Sequence, residues 1–115
     1  MNNLTITIND KEFPLSTTLR VAFVLQGQHG HKSYIEIFRD MGEMTVEQQI
    51  GVLWASFSVA NAEEAKTITH AGFQNYCLDN MNLGDLMNKL KAISQAMMGD
   101  TDSEENTEEL EKTPT

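Results

Sequence analysis

The hydrophobic and polar positions change period along the chain, and each change marks an element. Leu4-Thr5-Ile6-Thr7-Ile8 alternates apolar and polar over β-branched residues, the pattern of a half-buried strand. Asn9-Asp10-Lys11 reads as a turn, and Glu12-Phe13-Pro14-Leu15 as the returning arm of a hairpin, with Pro14 placing that arm at an edge because it has no amide to donate. A two-stranded ribbon is marginal by itself and must pack on helices or on another chain. Beyond Leu15 the period becomes helical. Ser16 or Thr17 opens a helix to about Gln26, with Leu19, Phe23 and the neighbouring Val and Leu residues as its apolar face. Gly27-Gln28-His29-Gly30-His31 breaks it. A short helix is then expected through Tyr34, Ile35, Phe38 and Met41, ending at Gly42.

Thr45-Val46-Glu47-Gln48 has the capping-box pattern, in which the threonine accepts from the amide three residues on and the glutamine reaches back. The helix it opens carries Ile50, Leu53, Trp54 and Phe57 on one stripe, widened by Val52, Ala55 and Val59, and stops at about Asn61. It is the expected central core helix, with Trp54 in the core. Ala62 to Lys66 shows no clear period. Thr69 caps a further helix with Phe73, Tyr76 and Cys77 on its core side and Ile68 stapled to Phe73. Asn82 caps the last helix, with Asp85 in its first turn and Met81 stapled to Leu86. Leu83, Leu86, Leu90, Ile93 and Met97 form its stripe, two heptads long and too short for a coiled coil. The fold class expected is α+β: an N-terminal two-stranded β-hairpin followed by four to five helices, one domain over residues 1–98.

Composition changes at Gly99. Asp100 to Thr115 holds seven acidic residues, one lysine and a single strongly apolar residue, Leu110. Such a segment buries too little apolar surface to offset the entropy of ordering, so residues 99–115 are expected to be a flexible, disordered acidic tail. The whole chain of 115 residues carries 17 acidic and 8 basic residues, a net charge of −9. That balance argues against nucleic acid, whose phosphates need clustered Lys and Arg, and against an anionic membrane surface. No apolar run approaches the ~20 residues of a membrane span, and the first residues lack the charged-then-apolar pattern of a secretory signal. One cysteine, Cys77, excludes an intramolecular disulfide and points to a reducing compartment.

The chemistry-bearing residues do not assemble into a catalytic pattern. His29-Gly30-His31 is the sole metal-like pair, and His70 and Cys77 lie at spacings unfamiliar for zinc. Cys77 falls on an apolar face, where burial dulls a thiol. Gly27 and Gly30 follow no strand and precede no GK[ST], so they form no phosphate loop. The reading is therefore not an enzyme, with no catalytic, cofactor-binding or metal residues and no cofactor. Methionine is the exception: of seven, Met81, Met87, Met97 and Met98 lie in or beside the last helix. Met87 and Met98 fall off its stripe, and flexible thioethers suit surfaces that accept varied apolar partners, although gap-filling in a small core is the plainer use. Met87, Met97 and Met98 are the candidate partner-binding residues.

The opening LTITINDKEF, the segment LWASFSVANAEEAKTIT and the final NLGDLMNKLKAI resemble the tail assembly chaperones of long-tailed, siphovirus-type phages of Gram-positive bacteria. The likeness spans about residues 3–98 and rests on loose structural patterns, so no member-specific binding residue carries over. It implies a protein that keeps the long, apolar, helical tape measure protein soluble until the tail tube polymerises around it. It implies work in the host cytoplasm and absence from the mature virion. It also implies a frameshifted longer product recruiting tail tube protein, its extension starting where the acidic tail stands. Association of copies with one another is left open. The alternative is a small acidic regulator or adaptor, such as a DNA-mimic inhibitor binding a basic host protein. A mimic needs ordered carboxylates along one face, whereas most of the excess acid here lies beyond Gly99.

Overall fold

The computed structural model describes residues 4–98. The acidic segment 99–115, expected to be a disordered tail, lies outside the described residues. Strands β1 (Thr5–Ile8) and β2 (Lys11–Pro14) pair antiparallel, with Ile8 opposite Lys11 and Thr5 opposite Pro14. The loop is thus two residues, Asn9 and Asp10, both at positive φ (52° and 68°). That is the twist-matched turn of a tight hairpin, and Asn and Asp tolerate it. Lys11, expected in the turn, is already a strand residue. The alternation holds: Ile6, Ile8 and Phe13 are buried and Thr7 is exposed.

Among the described residues six α-helices follow: α1 (Leu19–Gln28), α2 (Tyr34–Arg39), α3 (Val46–Ala60), α4 (Ala62–Ile68), α5 (His70–Asn80) and α6 (Leu83–Met97), with a 3₁₀ turn at Met41–Glu43. The α+β architecture read from the pattern is the one observed. Helix α3 is the centre, packing against α1, α4, α5, α6 and β2. Its capping box is complete: Thr45 Oγ1 accepts from the Gln48 amide at 3.1 Å, and Gln48 Oε1 accepts from the Thr45 amide at 3.0 Å. Asn82 and Asp85 close the same reciprocal pair at the start of α6. Thr69 caps α5 by accepting from the Gly72 amide.

The core joins the inner face of the hairpin to α3, α5 and α6. Phe57 lies 5.4 Å from Phe13 across the hairpin, edge-on, and 5.0 Å from Phe73 on α5. Trp54 is only partly buried, stacked against Phe57 on one side and the exposed His70 on another. Three buried polar side chains tie α3 to distant backbone. Ser56 Oγ donates to the Ser16 carbonyl at 2.6 Å, Asn61 Nδ2 to the Pro14 carbonyl at 2.8 Å, and Gln49 Nε2 to the Met41 carbonyl at 3.0 Å. Each satisfies a group that burial would otherwise penalise.

Several local expectations are corrected. Helix α1 starts at Leu19, after Thr18, because Ser16 is bound to Ser56 and its hydroxyl accepts from the Thr18 amide. It continues through Gly27 rather than ending before it. Its core face is Val21, Ala22 and Leu25; Leu19 and Phe23 point outward, 85% and 68% exposed. On α2 the buried residue is Ile37, not Tyr34 or Ile35. Residues 62–66, without a readable period, are helical in α4. The first residue of the α6 stripe, Leu83, is exposed.

Candidate functional site

Gly30 and His31 hold the α1–α2 loop in left-handed conformations (φ 66° and 68°). His29 lines a shallow, mostly polar hollow of about 260 Å³ with Lys32, Asp40, Glu43 and Gln48. Partial burial, then the neighbouring Lys32 charge, lowers its pKa. Among the described residues no three His, Cys, Asp or Glu side chains gather closely enough to hold a metal ion. Cys77 is buried among apolar side chains, and desolvation pushes its thiol up to about 11, far from a reactive thiolate.

The three candidate methionines do not form one surface. Met97 and Met98, at the end of α6, line a recess of about 190 Å³ with Leu19 and Ala22 of α1 and Tyr34 of α2. Within it Met98 is 54% exposed, while Met97 packs against the core. Leu19 and Phe23, four residues apart on α1, extend the apolar area outward beside Arg20, whose guanidinium lies over the Phe23 ring. Met87 stands elsewhere, about 16 Å up the α6 axis at 1.5 Å per residue. It follows Leu83 by four positions, so the two share a face of α6.

Leu83 leads to a second apolar surface, which the pattern along the chain did not single out. A cleft of about 270 Å³ lies between the start of α3, the end of α5 and the start of α6. Its floor is Ile50, Cys77 and Leu86, and its rim is Val46, Leu78 and Leu83. Leu78 and Leu83 are 52% and 67% exposed, although both are leucines inside helices. Asn82 is the sole polar residue lining it, and its side chain is engaged in the α6 cap. A signal existed in the sequence: Leu78 follows the core residue Cys77 directly, so it must point about 100° away from the core side.

A third groove, about 450 Å³ and open, runs between β1 and α6 past Tyr76 and Asn88. Lys89 donates from Nζ to the Thr5 carbonyl there, placing a charge on the free edge of β1, as edge strands commonly require.

No protein-family model, curated protein or solved structure matches the chain. No helix among the described residues is long and apolar enough to cross a membrane. What the arrangement offers is apolar area in two places, around Leu19, Phe23 and Met98 and around Leu78 and Leu83, on a chain of strong negative charge.

Proposed function

We propose that this protein is a tail assembly chaperone, which holds the apolar helical tape measure protein soluble until the tail tube forms around it. The observation that carries the reading is the pair of apolar surfaces left uncovered on a small acidic α+β frame. The resemblance of LTITINDKEF, LWASFSVANAEEAKTIT and NLGDLMNKLKAI to that family supplies the partner. Covering apolar area removes it from water at about 25 cal/mol per Å², so several modest contacts along one long helical client add up. On this reading the protein acts in the host cytoplasm and leaves the assembling tail. A longer frameshifted product recruits tail tube protein. Net negative charge keeps chaperone copies apart while their apolar faces stay exposed.

The test is co-expression. With this protein present, the cognate tape measure protein should stay in the soluble fraction at concentrations where it aggregates alone, followed by light scattering of the cleared lysate. Met87→Glu/Met98→Glu changes two exposed methionines and leaves Met97 in its packing position, so the variant should fold and protect less. No protection by the unaltered protein at any ratio would sink the reading. A DNA-mimic regulator is less well supported, because the ten acidic residues of residues 1–99 are set against seven basic ones and are spread over several elements.

A further inference from the structure

We propose that the cleft bounded by Val46, Leu78 and Leu83 is the seat of an amphipathic partner helix whose apolar stripe is flanked by lysines or arginines. This deepens the chaperone reading and rests on it only for the identity of the natural client.

The geometry points to a helix. All three walls of the cleft are helix ends and no strand edge borders it, so an extended segment would find no ladder to join. A helix brings apolar side chains at intervals of three and four residues, and the rim offers leucines on two facing elements with a floor of Ile50, Cys77 and Leu86.

Charge selects the kind of helix. From Asp40 to Ala65 and again from Thr67 to Asn88 the chain contains no lysine or arginine. The elements around the cleft instead carry Glu47 beside Val46 and Asp79 beside Leu78, both exposed. Among the ion pairs of the described residues, none involves these two carboxylates. Asp85 does not belong to this border: it closes the α6 cap and lines the groove between β1 and α6 with Lys89. A partner with cations along both sides of its apolar stripe meets complementary potential at the rim, and one with acids meets repulsion. The Leu19–Phe23 surface, with Arg20 within it, lacks this one-signed border.

The experiment uses the full chain and two synthetic, fluorescein-labelled peptides of about 18 residues, long enough for five helical turns. Both place leucine at helical spacing; one flanks the stripe with lysine, the other with glutamate. Fluorescence anisotropy should show the lysine peptide binding at least about tenfold more tightly, with the advantage shrinking as salt rises. Leu78→Ser/Leu83→Ser should weaken it by about tenfold or more, while Phe23→Ser leaves it unchanged. Both leucines are largely exposed, so the melting temperature should stay near that of the unaltered protein. Glu47→Lys/Asp79→Lys gives a route that spares the apolar residues, and should level or reverse the preference between peptides.

Equal affinity for both peptides overturns the proposal, as does loss of binding in Phe23→Ser alone. So does a self-associated state in sedimentation that Leu78→Ser/Leu83→Ser dissolves, because a second copy would then fill the cleft. The co-expression assay separates the two levels. If the unaltered protein and the cleft variant protect the tape measure protein equally, the cleft assignment falls and the chaperone reading stands. If neither protects, the chaperone reading falls and the peptide titration alone decides the cleft.

Discussion

Cys77 shows how position within the core sets the behaviour of a single side chain. Its thiol is buried, and desolvation of the thiolate raises its pKa from the ordinary 9.0 to about 11. The unfolded chain therefore sheds this proton first. Between about pH 9 and 11 the folded state binds more protons than the unfolded one, so this group's contribution to stability is complete below pH 9 and is lost as pH rises through that window. Urea titrations of the unaltered protein and of Cys77→Ala across the range should show a steeper alkaline fall for the former. Parallel curves would mean that the thiol is accessible. The same scale explains the misreading of α1. Leu19/Phe23 and Val21/Leu25 are two pairs at identical spacing, about 200° apart around one helix at 3.6 residues per turn. Either could be the core face by pattern. Only the position of α3, against which α1 packs, puts Val21 and Leu25 inside. Ile35 and Ile37 on α2 repeat the ambiguity, with the same outcome.

At the scale of elements, what was legible is what is local. The capping box expected at Thr45 and the cap expected at Asn82 need contacts no more than three residues apart, and both are present; at Asn82 Asp85 also reaches back to complete a box that the pattern did not single out. The hairpin follows from alternation and turn chemistry. Helix α4 was not legible, because its cap position is Asn61, whose side chain is spent on the Pro14 and Phe57 carbonyls and makes no cap bond. Thr69, joining α4 to α5, takes φ 67° and ψ 158°, a conformation rare for a β-branched residue. Gly27 looked like a helix end, yet α1 runs through it, and an added Cβ would meet nothing within 4 Å. Glycine in a helix interior costs about 0.5–1 kcal/mol relative to alanine. Gly27→Ala should therefore raise the melting temperature by roughly 2–8 °C for a domain of this size, read by calorimetry. A decrease would show that the helix ends before it.

The whole molecule turns on Phe57, the fully buried side chain that touches both halves: Phe13 of the hairpin on one side, Trp54 and Phe73 of the helices on the other. A two-stranded hairpin has no stability of its own, so it depends on this junction. Phe57→Ala should cost about 3–5 kcal/mol, a large fraction of the ~5–15 kcal/mol expected for a small domain. In the unaltered protein, Trp54 fluorescence and far-ultraviolet circular dichroism should report one coincident urea transition. In the variant the midpoint should fall sharply. A hairpin that melts separately in the unaltered protein would contradict the single core.

The α+β class, the hairpin, the caps at Thr45, Thr69 and Asn82 and the burial of Phe57, Phe73, Leu90 and Ile93 were determined by the sequence itself, because period and capping act over a few residues. The tertiary structure decided which of two equivalent helix faces turned inward, and so which apolar residues were left outside. It separated Met87 from Met97 and Met98 by placing the latter two against α1 and α2. It brought Val46, Leu78 and Leu83 from three helices to the rim of one cleft. The physical reason is that a surface shared by several elements depends on how those elements pack, and no period within one element encodes the position of another.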